Sequence, residues 1–346
     1  MNKLFSSNDI DPIHWNERIV SLDGPMQLTT EWASFVCAKD NLRSFFFQSD
    51  NGDTSVASII YLSSSSQWPL SRWPSASTDC IPLAGDRSEV IYELELALRK
   101  LGVIDLQLNS FAYESPSPIQ LAQFGYEETA RYEFVLSLQN GIDAVWLGTR
   151  ATLRNDIRRF ERSGIVCRTR SEKEIISALH KIEMETALRH RANGKHGNPM
   201  RKATYESLWT HVVNTGRAHI YLAEKEGEAI ASVVIGVCGK NAYYLYGGAT
   251  HEGLANNAPK GLLWFAIQQE YESGIREFNL GGMSVTAENP DSLDHGLFKF
   301  KTAFGATQRS CISGHKELRP ILVTAKKGVT KIAHKFRDAL KGPVST

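Results

Sequence analysis

Apolar residues along the chain alternate with polar ones in some stretches and recur at helical spacing in others, with glycine- and asparagine-rich turns between. Residues 10–20 and 30–39 carry the helical period. Thr30 stands at a cap position, with Glu31 in the first turn and Trp32, Phe35 and Val36 on one face. Leu42–Gln48 and Thr54–Leu62 read as strands around the turn signal Asp50-Asn-Gly-Asp53. A long loop, Ser63–Pro74, precedes an amphipathic helix at Val90–Leu101, a strand at Val103–Leu108 and a long strand at Tyr126–Leu138.

The pattern continues with a basic helix over Thr149–Ser163, stopped by Gly164, and a strand at Ile165–Arg170. Ser171 opens a long helix with Glu172 and Glu174 in its first turn. Arg191–Met200, with two glycines and a proline, reads as a loop, and 203–214 as a helix. Three strands follow at His219–Glu224, Glu228–Val237 and Asn241–Gly247. A polar loop, a helix at Gly261–Ser273, a strand at Arg276–Leu280 and a helix at Leu293–Phe304 come next. Pro320–Leu340 forms a last helix, basic on one side, with Ile332, Phe336 and Leu340 on another.

Two segments recur in register. Asn51–Ile60 resembles Glu226–Val234, and Gly102–Leu108 resembles Gly274–Leu280, at nearly constant separation. A duplicated α/β unit follows, with mainly antiparallel strands and helices on both faces. The expected division is a first domain over 1–147, a second over 148–318 and a basic amphipathic helix over 319–346.

Composition changes this picture little. The length of 346 residues favours two cores, and a net charge of +1 offers no global field for DNA. Five widely spaced cysteines, Cys37, Cys80, Cys167, Cys238 and Cys311, include no C-x-x-C, which points to buried reduced thiols in a cytoplasmic protein and to no metal site. Neither a signal peptide nor a run of 18 or more apolar residues is present, so no transmembrane segment is expected.

The order of several motifs resembles the BioF2-like acetyltransferase (GNAT) domain family, which is related to the Fem-type aminoacyltransferases of peptidoglycan bridges. These motifs are Leu153–Arg159 closing on Gly164, Arg189–Gly197, Gly216–Leu222, Glu226–Ala231, Tyr243–Gly248, Gly274–Gly281 and Phe300–Gly305. The likeness covers about residues 148 to 311. It implies a tandem GNAT-like fold with mixed, mainly antiparallel sheets. It also implies an N-acyltransferase acting on an amine of a cell-envelope or polysaccharide precursor. Acyl-CoA or aminoacyl-tRNA would be the co-substrate and a small or nucleotide-linked molecule the acceptor, with no bound cofactor.

The resemblance places Lys301 in the site, where an ammonium stabilises developing negative charge; otherwise it is a solvated lysine on a helix whose core is Phe298, Phe300 and Phe304. Tyr246 is a candidate proton donor and Asn279 a polar contact at a strand end; core packing and turn capping are their alternatives. Gly247 and Gly248 would let a donor approach the backbone, or form a flexible strand end. Asn256-Asn-Ala-Pro-Lys-Gly261 departs from the usual phosphate-cradling loop, though Lys260 and Gly261 at a helix start remain candidates for a phosphate. Arg154, Arg158 and Arg159 share one side of a helix and either grip phosphates or form a solvated basic face. His190, Arg191 and His196, in or beside a glycine-containing loop, are candidate ligand contacts. Two further readings stay open: an acetyl-CoA-dependent sugar-amine N-acetyltransferase, and a non-catalytic module that kept the fold.

Overall fold

A computed structural model describes residues 3–51, 54–63, 70–79, 88–110, 121–194 and 199–340. In chain order these form β1 (Lys3–Ser6), α1 (Pro12–Ser21), α2 (Thr30–Asp40), β2 (Leu42–Asn51), β3 (Thr54–Ser63), β4 (Ser75–Asp79), α3 (Ser88–Lys100), β5 (Asp105–Asn109) and β6 (Glu127–Ser137). Then come α4 (Ile142–Gly148), α5 (Ala151–Glu161), β7 (Val166–Arg170), α6 (Ile175–Ala192), α7 (Lys202–Leu208), β8 (Ala218–Lys225), β9 (Glu228–Cys238) and β10 (Asn241–Ala249). The chain continues through α8 (His251–Ala255), α9 (Ala258–Glu272), β11 (Glu277–Ser284), α10 (His295–Ala303), β12 (Thr307–Glu317) and α11 (Pro320–Leu340). The fold is mixed α/β, as the duplication implied. Gly52, Asp53, residues 64–69 of the long loop and His196 lie outside the described residues.

Two compact units emerge, and neither is continuous in sequence. Unit one comprises residues 1–10, 40–129 and 312–346; unit two comprises 11–39 and 130–311. This differs from the consecutive division expected at 147 and 318. The helices α1 and α2 pack in unit two, and α11 packs in unit one. The reason is an exchange of last strands. In unit one the strand order is β1-β2-β3-β4-β5-β12, antiparallel except for the parallel β4–β5 pair. In unit two it is β6-β11-β10-β9-β8-β7, antiparallel except for parallel β10–β11. Each copy therefore closes on a strand that the other copy's stretch of sequence supplies: β6 follows β5 in the chain but pairs with β11, and β12 follows β11 but pairs with β5.

Each unit buries its own core. In unit one, Val90, Ile91, Leu94 and Leu98 of α3 meet Phe47, Ile60, Leu106 and Leu108 from the strands. In unit two, Leu262, Leu263, Ala266 and Ile267 of α9 meet Tyr221, Val233, Ile235 and Phe278. Local signals fix the helix ends. Asp11 caps α1, its carboxylate accepting from the Ile13 and His14 amides, with Pro12 in the first turn. The residues expected as a polar loop after β10 contain α8, capped by the Thr250 hydroxyl, which accepts from the Gly253 amide. The α6 helix runs on to Ala192, so Arg191, expected to open the loop, occupies its last turn with His190, and the loop begins later.

Candidate active site

The adjacent parallel strands β10 and β11 pair over only three positions: Asn241 with Glu277, Ala242 with Phe278 and Tyr243 with Asn279. Beyond that point both strands are re-aimed by their outer neighbours. The register of β10 on β9 shifts between Tyr244 and Tyr246, and that of β11 on β6 shifts between Asn279 and Gly282. Gly281 takes a φ of +82°, which favours glycine, and its amide donates to Asn279 Oδ1 at 2.8 Å. A split between two central strands results, with the Gly281-Gly282 bulge on one wall.

Lys301 reaches this bulge from α10. Its ammonium donates to the carbonyls of Gly281 at 2.9 Å and Gly282 at 3.1 Å, and lies 5.8 Å from the centre of the Phe134 ring. The side chain is 4% exposed, so it is not the solvated lysine that an amphipathic helix would allow. Burial lowers its pKa to about 8, with Glu133 acting in the opposite direction. Among the described residues no carboxylate forms an ion pair with it. Asn279 is also buried, and its amide donates to Glu133 Oε2 at 2.8 Å.

Glu133 is the residue that sequence reasoning missed. It is fully buried on β6, and both oxygens are engaged: Oε1 accepts from Arg131 at 2.7 Å and from the Tyr243 hydroxyl at 3.1 Å, and Oε2 from Asn279. A buried carboxylate is tolerated when it is paired and hydrogen-bonded in this way. It ties β6, β10 and β11 together at the point where the split begins. Burial, reinforced by Glu133, holds the Tyr243 hydroxyl protonated well above the usual phenol range. A signal was present: Glu133 falls in phase with the buried Val135, with both faces of the strand covered over Glu133–Leu136.

The remaining candidates are dispersed. Tyr246 lies near enough to Tyr205 to act on its hydroxyl electrostatically. Gly247 and Gly248 are approached closely by the protein itself: a Cβ at 247 would fall on the Tyr244 hydroxyl, and one at 248 would meet Thr186 and Ile182 of α6. Phe300 packs edge-on against Phe304, with ring centres 5.3 Å apart. Arg154 donates to the carbonyls of Trp146, Leu147 and Thr149, closing the C-terminal end of α4. Arg158 lies over the Trp146 ring, and Arg159 is exposed 4.0 Å from Asp156, so the three arginines do not converge as a grip.

The start of α9 is similarly engaged. The Lys260 ammonium pairs with Asp156 at 2.7 Å, and a Cβ at Gly261 would fall on the Phe160 ring, so both positions hold α9 against α5. The Lys260 and Gly261 amides donate to the Asn257 carbonyl, and Pro259 has no N–H. Four of the amides between Asn256 and Gly261 are thus taken by local carbonyls, and a fifth is missing at Pro259. Burial pushes the Cys167 and Cys311 thiols up to about 12 and Cys238 to about 11, which suits inert packing thiols. No cluster of three or more His, Cys, Asp or Glu among the described residues is placed to hold a metal ion.

Residues 148–300 match the family described as Acetyltransferase (GNAT) domain. A search of curated proteins finds no match. Among solved structures the chain is similar to FemX, with 12% identity, a TM-score of 0.72, and 91% of this chain and 98% of that one covered. It is similar to L-PGS from Bacillus licheniformis at 18% identity and a TM-score of 0.56, covering 94% and 97%. A tandem GNAT protein from the clavulanic acid biosynthesis pathway matches at 14% identity and a TM-score of 0.52, covering 92% and 99%. At these identities the likeness establishes the fold, which is that of tandem GNAT proteins.

Proposed function

We propose that this chain, whose residues 148–300 match a GNAT acetyltransferase domain and whose fold is that of tandem GNAT proteins, transfers an acyl or aminoacyl group to an amine of a cell-envelope or polysaccharide precursor, in the split between β10 and β11. The observation that carries this reading is the buried ammonium of Lys301, held by backbone carbonyls at the bulge. The acceptor amine attacks the donor's carbonyl carbon. A C–N bond forms, the bond to the thiol or hydroxyl leaving group breaks, and the proton lost by nitrogen balances the one gained by the leaving group. Charge accumulates on oxygen during this exchange. An ammonium already removed from water stabilises it without reorganisation. Asn279, fixed by Glu133, keeps the bulge and hence the lysine in place.

The engaged helix start at Lys260–Gly261 supports a donor that does not depend on a backbone pyrophosphate cradle. Together with the folds shared with FemX and L-PGS, this favours aminoacyl-tRNA over acetyl-CoA on a sugar amine. The test supplies labelled acetyl-CoA and, separately, charged tRNA, each with mixed amine acceptors. Transfer from tRNA is expected, with Lys301→Ala lowering turnover about tenfold or more. A melting temperature raised by acetyl-CoA and not by charged tRNA would reverse the donor assignment. Neither transfer nor donor binding would leave a non-catalytic module.

A further inference from the structure

The acyl-transfer reading makes no use of the charge pattern in α11. From Arg319 to Arg337 the sequence holds six lysine or arginine residues, one histidine and no aspartate or glutamate, in a chain whose net charge is only +1. The remainder of the protein is therefore net acidic, and this segment carries a positive excess of its own.

Within unit one the helix is fastened along one side. Val323 is buried, and the Lys326 ammonium donates to Ser75 Oγ at 2.8 Å, which in turn donates to Asp105. The opposite side is an exposed stripe at helical spacing: Ile321, Thr324, Lys327, Gly328, Lys331 and Ile332. Ile321 is 85% exposed and Ile332 56%; among the described residues no large apolar side chain is more exposed than Ile321. Among the described residues one acidic group pairs with the stripe: Glu317 accepts from the Lys327 ammonium at 3.0 Å on the exposed surface.

Lysines alone would suit any polyanion. Isoleucines beside them select among polyanions, because a nucleic-acid backbone offers such side chains nothing, whereas a bilayer accepts them at the boundary of headgroups and acyl chains while the ammoniums sit at the phosphates. We infer that the exposed stripe of α11 is a peripheral docking surface for an anionic lipid membrane. The inference stands apart from the acyl-transfer reading, because its test measures binding alone.

The full chain is sedimented with phosphatidylcholine vesicles and with vesicles that are roughly one-third phosphatidylglycerol. Binding is expected to the second only, and added salt should weaken it. Lys327→Glu with Lys331→Glu should lower the partition coefficient about tenfold or more, and Ile321→Ser with Ile332→Ser about fivefold or more. All four positions are exposed, so an unchanged melting temperature shows that each variant is folded. Equal binding to both vesicle types, binding to neither, or a partition unaffected by both double variants overturns the proposal. Retention of bulk tRNA that the lysine variant abolishes, with vesicles ignored, reassigns the stripe to nucleic acid.

Discussion

The two copies of the duplicated unit solve the same problem differently. In unit one the parallel pair β4–β5 stays zipped over five positions, from Ser75–Asp105 to Asp79–Asn109, and β5 runs on β12 without a register shift. In unit two the equivalent pair parts after three positions, and β11 bulges at Gly281. The buried charges follow suit. In unit one, Lys316 lies over the Tyr126 ring and donates to both oxygens of Glu95 and to the Phe124 carbonyl, while the Tyr126 hydroxyl donates to the same carboxylate. The lysine and carboxylate neutralise each other. In unit two, Glu133 takes Arg131, Tyr243 and Asn279 instead, so Lys301 is left to backbone carbonyls. The same residue types thus form a closed structural pair in one copy and a poised ammonium in the other.

The exchanged strands set the largest expected effect. A fragment spanning residues 148–318, the second domain as the repeat suggested it, lacks β6, α1 and α2 of unit two, and with β6 the carboxylate that anchors Asn279. It is expected to show no cooperative unfolding transition, whereas the full chain unfolds cooperatively in urea. A soluble fragment with a sharp transition would mean that β6 is dispensable and that the copies are independent.

Next in size is a crossed pair of lysine variants. Lys301→Ala should cut turnover about tenfold or more. Lys316→Ala should leave turnover within a factor of about two, yet cost about 2–3 kcal/mol of stability, because it strands the largely buried Glu95 carboxylate; partial exposure of the pair, 23% and 10%, trims the full buried-pair cost. Urea titration and initial rates on the same preparations decide it. Equal effects on rate from both would erase the distinction between the copies.

The pH dependence of turnover sharpens the same point. With a pKa lowered to about 8 by burial, Lys301 is protonated below that value and loses its charge above it. If the ammonium is the working form, the rate should fall as pH rises through about 8. The arginine variant, charged throughout this range, should move that limb upward even at reduced activity. A rate that climbs through pH 8 would make the neutral amine the working species.

The sequence made some of this visible and hid the rest for physical reasons. Helices and strands with a strong apolar period, such as α3, α9 and β9, lie within a few residues of expectation because local burial dictates them. The strands β4 (Ser-Ala-Ser-Thr-Asp) and β12 (Thr307–Glu317) carry almost no apolar signal, and pairing with neighbours makes them strands. Strand exchange is wholly non-local, so no window of sequence reports it. In the site, Lys301 stood out only through the family resemblance, and Asn279 only by its place at a strand end. Glu133 did not stand out within the long strand expected over Tyr126–Leu138, because two of its partners, Tyr243 and Asn279, are brought to it by the distant strands β10 and β11. The arginines of α5 illustrate the reverse error: helical spacing put Arg154, Arg158 and Arg159 on one side, but the carbonyls at the end of α4 and the Trp146 ring claim the first two.

Unit two holds a second buried carboxylate, and it provides the smallest test. Glu270 on α9 is fully buried; its Oε1 lies 2.8 Å from His219 Nδ1 and accepts from the Tyr221 hydroxyl at 2.9 Å, while Oε2 has no partner. The hydrogen bond to Glu270 raises the His219 pKa against the opposing effect of burial. A histidine whose folded pKa exceeds its unfolded value of about 6.5 stabilises the fold fully below that value, and the contribution disappears as pH rises through the folded pKa. Stability should therefore decline from about pH 6.5 upward, by under about 1 kcal/mol, since the imidazole is 35% exposed and solvent screens the pair. His219→Gln should flatten this slope in urea titrations across the same window and leave turnover unchanged. A decline that persists in the His219 variant must come from a group other than this pair.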